Sequence, residues 1–376
     1  MTMMSRDHAT IFMDHIREHA PRYYPGFESE QIRIQLIEKQ ERPTAMLYRF
    51  KVSDGAQIRS VFVKVPLRNL TRNQTNGSVY EKPLLFPKTE PIDMPRLQYT
   101  ALRTIYEYFT SLDKKQLGAI RVLDYLPQYH AIFTEESNDP SLRQLFLKEN
   151  RLSSLFANDE LTTAFQNVGI WLRMYHAMPK NEDVKVRHQH RNDYIEAIPR
   201  LTDFLAKALG DELFFNKTTS IIINKAREVL PESQPLGLGH GDYAMRNILV
   251  GLNARVTVLD TFAKWRVPIY EDIGYFLNGF KMSPPQIVSQ GLAFSSDQLS
   301  AYEHAFLKGY FEQKPIPYSA IRLFEILALL DKWSSVIAYN QQRRGKFKIF
   351  GGVMTALTSR YFKRSVKNLL KEINES

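Results

Sequence analysis

"HGDYAMRNILVGLNARVTVLD", residues 240–260, is the stretch on which the reading of the chain turns. It opens on a histidine, a glycine and an acid, reaches an amide at Asn247, and then becomes apolar. "NILV" reads as the start of a strand, "GLNA" (251–254) as a turn and "RVTVLD" (255–260) as the returning strand. An antiparallel hairpin brings its open ends together, about 5 Å apart across the ladder. Asn247 therefore enters the hairpin at the end where Asp260 leaves it. An amide oxygen beside a carboxylate is a hard-oxygen pair that suits Mg²⁺ carrying nucleotide phosphates. Asp242, on the loop leading in, is placed to accept a proton from an attacking hydroxyl. Either residue alone reads as a turn cap or a strand-entry position; their joint spacing with His240 and Asp260 favours a site.

The whole chain bounds what such a site can belong to. Its 376 residues exceed one simple core and suit two lobes, since single cores stop growing near roughly 250–300 residues. With 44% hydrophobic and 24% charged residues the composition is that of a globular protein. The absence of cysteine excludes disulfides, thiolate metal sites and a cysteine nucleophile. The N-terminus carries no continuous apolar segment; Ile11, Phe12 and Ile16 mark a short amphipathic helix. No stretch approaches the roughly 20 apolar residues that cross a bilayer. The expectation is a cytoplasmic protein, or one bound peripherally to a membrane.

Net charge is +10, and ten Lys or Arg with no Asp or Glu lie between Lys332 and Lys371. A solvated helix face with a basic loop accounts for this segment; attraction to an anionic membrane or glycan is the sharper reading. Nucleic acid is not expected, because no helix-turn-helix, zinc or RNP-type pattern accompanies the charge.

Along the chain, "IRIQLIEK" (32–39), "AMLYRFKV" (45–52) and "IRSVFVKVP" (58–66) alternate as strands, with "SDG" (53–55) as a hairpin turn. A polar stretch over 67–95 has no clear period. Leu97, Ala101, Leu102, Ile105 and Phe109 then keep helical spacing, and two strands follow in "AIRVLDYLP" and "HAIFTEES". After Pro140 the patterning is mostly helical, broken by the β excursion at 248–259. This predicts an α+β chain: a helical extension over 1–29, a small antiparallel-sheet lobe over 30–136 and a helical lobe over 137–376. His176 is explained by packing or a helix end, and His188 and His190 by a solvated patch.

His-Gly-Asp-x-x-x-x-Asn, followed by a hairpin and a second Asp, resembles a kinase catalytic loop with its metal-binding Asp. The glycine after the histidine, and "LDTFAKW" in place of Asp-Phe-Gly, resemble the aminoglycoside phosphotransferase/choline kinase-like superfamily, which shares the protein-kinase fold. "EDIGYFL" (271–277) is similar to that family's downstream helix and "VGIWLRMYHAMP" (168–179) to the helix before its catalytic loop.

The resemblance implies a bilobal protein-kinase-like fold and an ATP- and Mg²⁺-dependent phosphotransferase acting on an alcohol group of a small molecule or glycan, a sugar or lipid-linked glycan among the acceptors it admits. By it, Asp242 matches the catalytic base, and Asn247 and Asp260 the metal ligands. Lys64 matches the strand lysine on the phosphates, and Thr134, Glu135 and Glu136 fall in the hinge that meets adenine. His240 and Asp272 support the loop. The partner of Lys64, a glutamate in the family, aligns with Gln98, and the first hairpin, "QERPTAM", has no glycine. These departures define the alternative of a pseudokinase: a nucleotide-binding or scaffolding module without transfer. A third reading is a peripheral membrane or glycan-binding protein acting through 332–371.

Overall fold

The computed structural model describes residues 7–42, 45–66, 94–149, 158–179, 184–261, 263, 265–342 and 348–375. The polar stretch 67–93 and the basic 343–347 lie outside them. The described residues up to 113, with 118–139, form one compact unit; 114–117 with 140–375 form another.

The first unit begins with α1 (His8–Tyr23) and continues with β1 (Arg33–Arg42), β2 (Ala45–Ser53), β3 (Ile58–Pro66) and α2 (Met94–Ser111). The chain crosses between units within β4 (Leu117–Ala119), then forms β5 (Val122–Leu126) and β6 (Ala131–Glu135). Five strands make an antiparallel sheet in the order β1-β2-β3-β6-β5. The β2–β3 turn is closed by Asp54, whose carboxylate accepts from the amides of Ala56 and Gln57 at 3.1 and 2.8 Å.

Strand alternation sorts the two faces. Val61, Val63 and Val65 join Tyr48, Phe50 and Phe133 in one apolar core. Phe12, Ile16 and Ala20 of α1 are fully buried in that same core. The helix read from sequence as an extension is thus a wall of the first unit's interior: its apolar stripe covers one sheet face. Lys64 lies on the opposite face of β3, half-buried.

The second unit contains α3 (Leu142–Lys148), α4 (Asp159–His176), β7 (Lys185–Val186), α5 (Arg191–Leu209), α6 (Glu212–Val229) and β8 (Leu236–Leu238). Then come β9 (Ile248–Val250), β10 (Val256–Val258), β11 (Trp265–Pro268) and α7 (Tyr270–Lys281). The chain ends in α8 (Pro284–Val288), α9 (Ser296–Phe311), α10 (Tyr318–Gln342) and α11 (Lys348–Glu375). Helices α4 and α9 cross at two glycines: a Cβ on Gly169 would fall on the Phe306 carbonyl, and one on Gly309 on the Gln166 carbonyl. Side chains such as Phe165, Trp171, Phe276 and Phe306 fill the interior. Below it lies a buried ionic cluster: Lys281 reaches Glu303 and Glu325 at 2.8 Å each, and Arg322 pairs with Glu303 and Glu325. No described helix is long and apolar enough to cross a membrane.

Candidate active site

The hairpin at 248–258 has the expected register, with Val258 opposite Ile248 and Val256 opposite Val250. Its turn is one residue longer than "GLNA" suggested, running over 251–255. Asn253 and Ala254 both take left-handed backbone angles, φ 57 and 53. The returning strand is also shorter, ending at Val258. Leu259 still donates its amide to the Asn247 carbonyl at 2.7 Å, so Asp260 follows directly on the partner of Asn247. Asp260 is exposed and has φ 55, a conformation that Asp and Asn tolerate better than most residues.

The loop before the hairpin is braced from beneath. The Asp272 carboxylate accepts the His240 amide at 2.7 Å and the Gly241 amide at 2.9 Å. Two successive amides can face one carboxylate because Gly241 adopts φ 79, where a Cβ would strain the turn. His176 Nε2 lies 3.2 Å from the same carboxylate, and its Nδ1 lies 2.7 Å from the Tyr310 hydroxyl. Burial alone would raise the Asp272 pKa; the hydrogen bond and charge of His176, with the contacts to His240, outweigh it and hold the carboxyl below its ordinary range.

His240 is buried, and burial pushes its pKa down despite the nearby carboxylates. Its contacts fit the neutral ring. Nε2 lies 3.1 Å from the Leu259 carbonyl and donates to it, while Nδ1 accepts the Asp242 amide at 3.3 Å. An imidazolium has no acceptor nitrogen for that second bond.

Asp242 is half-buried and held by three side chains. Arg246 Nη2 reaches its two carboxylate oxygens at 2.5 and 2.6 Å. The Tyr275 hydroxyl donates to Oδ1 at 2.9 Å, and Asn247 Nδ2 donates to Oδ2 at 2.9 Å and to the Asp242 carbonyl at 3.0 Å. Burial and the neighbouring Asp242 push the Tyr275 pKa up to about 12, so the phenol remains a donor at neutral pH. With Nδ2 engaged, the Asn247 Oδ1 is the atom left to meet a cation.

In the first unit, Lys64 stands opposite Leu47 and Ile132 in the sheet. Gln98 on α2 is withdrawn from solvent. Thr134 Oγ1 lies 3.5 Å from the Phe62 carbonyl. The amides of Glu135 and Glu136 donate within the unit, to Arg121 and Ser60 carbonyls, and the Glu136 carboxylate meets Arg49 Nε at 2.6 Å.

No family model matches the chain, and no curated protein matches it in sequence. Solved structures match it in fold. An ethanolamine kinase from Plasmodium vivax superposes with a TM-score of 0.51 at 12% identity, covering 98% of this chain and 91% of its own. The gentamicin complex of APH(2'')-IIa gives 0.51 at 14% identity, with 96% and 97% covered. ADP-bound APH(2'')-Ib, an aminoglycoside phosphotransferase, gives 0.50 at 13%, with 93% and 98% covered.

The chain has the aminoglycoside phosphotransferase/choline kinase-like fold.

Within this phosphotransferase-like fold, several contacts escaped the sequence reading. His176 is no mere helix-end residue, since it shares Asp272 with the loop. His188 is not part of a solvated patch: it lies 3.2 Å from Glu271, which also meets Arg187 at 3.1 Å and Tyr194 at 2.5 Å. Arg246, four residues after Asp242, faces its carboxylate. A histidine three residues from the end of "LRMYHAMP" and an acid in "EDIG" offered the only sequence signal for the brace, through the family pattern rather than through spacing.

Proposed function

We propose that the chain is an ATP- and Mg²⁺-dependent phosphotransferase that moves the γ-phosphoryl group to a hydroxyl of a non-protein acceptor, a small molecule or a glycan. The observation that carries this reading is the setting of Asp242. Its carboxylate is oriented by Arg246, Tyr275 and Asn247 on a loop braced by a buried acid. Such positioning is the main protein contribution to phosphoryl transfer.

In the reaction, the acceptor oxygen forms a bond to the γ-phosphorus. The bond from that phosphorus to the β–γ bridging oxygen breaks, and its electron pair leaves with ADP. The hydroxyl proton passes to Asp242. The Asn247 Oδ1 and the Asp260 carboxylate are the hard oxygen donors that fit Mg²⁺, which when bound neutralises phosphate charge. Lys64 supplies the cation for the α- and β-phosphates, with Gln98 standing at the position where the family pattern has a glutamate. Residues Thr134, Glu135 and Glu136 form the adenine-binding edge. Because the amides of Glu135 and Glu136 are engaged in the sheet, that edge would offer carbonyls there and the next amide at Ser137.

The test is transfer of labelled γ-phosphate from ATP to an acceptor panel and to a cell extract. Asp242→Asn should lower transfer by about a hundredfold or more while ATP binding persists, the scale expected when a general base is lost. Transfer that survives the substitution defeats the assignment. Tight ATP binding by wild type with no labelled product from either source supports the pseudokinase reading instead.

A further inference from the structure

A cavity of about 350 Å³ opens in the second unit beside the loop that carries Asp242. Its wall includes Arg246 and Tyr275, the two residues that hold Oδ1 of Asp242. The volume suits a ligand of monosaccharide size. An acceptor bound there would lie against the two side chains that hold the candidate base.

The charge of the wall is unusual for a pocket beside a carboxylate. Arg143 of α3, Arg246 of the loop and Lys332 of α10 line it, against a single lining carboxylate, Asp331. Arg246 is engaged by Asp242. Among the described residues, neither Arg143 nor Lys332 has a carboxylate at ion-pair distance; the Lys332 ammonium donates to the Met282 carbonyl at 2.9 Å. A cation drawn out of water without a counter-charge costs several kcal/mol in effective terms, roughly the penalty that an opposite charge offsets. The ammonium responds accordingly: burial, with Arg246 and Arg143 nearby, pushes its pKa down to about 8.

The wall also holds neutral groups with hydrogen-bonding capacity. Among the described residues, the buried Asn278 Oδ1 and Ser283 Oγ have no hydrogen-bond partner, although buried polar atoms are nearly always paired. The serine hydroxyl can donate to an oxyanion, and the asparagine oxygen can accept from a sugar hydroxyl. With Arg246 paired to Asp242, an ammonium compound would meet two further cations, Arg143 and Lys332, against one lining carboxylate, Asp331. A compound with a negative group would supply a counter-charge to Lys332, with the exposed Arg143 as a second, solvated cation on the same wall.

We propose that the acceptor is a hydroxyl compound carrying an oxyanion, a phosphate or a carboxylate, bound in this cavity with the anion on Arg143 and Lys332 and the hydroxyl toward Asp242. This rests on the phosphotransferase reading for the hydroxyl; the anion subsite stands on the cavity itself. The Ser283 hydroxyl donates a further bond to the oxyanion. Arg246 remains with Asp242 and closes the side between base and anion.

The experiment measures binding by calorimetry to the full chain saturated with Mg²⁺ and ADP, so that the nucleotide site is filled. Two series of probes share a scaffold and differ in charge. One is glycerol, glycerol 3-phosphate, glycerate and 3-aminopropane-1,2-diol. The other is glucose, glucose 6-phosphate, glucuronate and glucosamine. In at least one series, the phosphate or the carboxylate member should bind at least about tenfold more tightly than its neutral parent, a difference of about 1.4 kcal/mol. The ammonium member should bind no better than the parent. The two anionic arms identify which oxyanion the subsite takes.

Lys332→Met and Arg143→Met should each remove most of that preference, whereas Lys332→Arg should keep it and control for folding. The proposal fails if the ammonium members bind as tightly as the anionic ones, if the preference survives the double variant, or if no anionic probe binds. Labelled-phosphate transfer is read separately. Anion preference without transfer to any acceptor defeats the phosphotransferase reading alone; transfer to neutral or ammonium acceptors without anion preference defeats the subsite alone.

Discussion

At the scale of single residues, the site depends on two buried groups holding fixed protonation states. His240 accepts the Asp242 amide through Nδ1 and must stay neutral to do so. Its pKa is depressed by burial below the ordinary 6.5, so the unfolded chain takes up the proton first as pH falls. Its contribution to stability is present above about 6.5 and is lost below that value, toward its folded pKa. Asp272 behaves in the same direction at lower pH. Its folded pKa lies below the ordinary 3.8, so its contribution is present above 3.8 and is lost as pH falls through the folded value. The thermal midpoint should therefore decline in two stages on acidification, the first beginning near pH 6.5. His240→Gln should remove much of the first stage, because an amide does not titrate there. A wild-type midpoint that stays level from pH 6.5 to 5, or an identical decline in the variant, contradicts this role for His240.

At the scale of elements, the helices that carry the brace are set by close backbone approach. Gly169 of α4 meets the Phe306 carbonyl of α9, and Gly309 of α9 meets the Gln166 carbonyl of α4. A methyl group at either position must push the helices apart. Gly169→Ala and Gly309→Ala should each destabilise the protein by about 1–3 kcal/mol, the usual cost of overpacking, despite the higher helix propensity of alanine. Since both methyl groups open the same crossing, the double variant should cost less than the sum of the singles, and chemical denaturation of the three variants measures this. Strict additivity would show that the two contacts are independent.

These contacts also show where sequence reading stops. The period of α4 exposes its apolar stripe, yet nothing in "NVGIWLRMYH" names α9 as its partner. The same holds for α1: its amphipathic face was visible, but the sheet face it covers was not. The hairpin was legible because its pairing is local, with Val250 and Val256 six positions apart, whereas the His176–Tyr310 contact spans 134 positions. Asp242, Asn247 and Asp260 stood out because one local hairpin delivers them. Lys332 and Arg143 did not, since a cavity wall assembled from α3, α7 and α10 has no linear signature.

For the molecule as a whole, the charge excess is less uniform than the sequence total of +10 implies. Lys332 faces the cavity, Lys363 pairs with Asp211, Arg364 donates to the Gln290 carbonyl and Lys371 lies 3.5 Å from Glu375. The opposite side of α11 buries Phe362, Val366 and Leu369. On the amphipathic α11, Lys363, Arg364 and Lys371 thus each meet a local acceptor. The phosphates of the proposed cofactor would have a different source of counter-charge, in Lys64 and in Mg²⁺ on Asn247 and Asp260. That division makes a measurable linkage. A ligand that binds only the folded chain stabilises it by about 2.7 kcal/mol at a free concentration one hundred times its Kd. ADP with Mg²⁺ should thus raise the unfolding midpoint, and ADP with a chelator should raise it less. In Asp260→Ala the chelator-sensitive part should disappear while the remainder persists; in Lys64→Met the remainder should shrink instead. Equal loss of both parts in each variant would contradict the division of labour, because it would mean that neither residue acts on the metal or the phosphates separately.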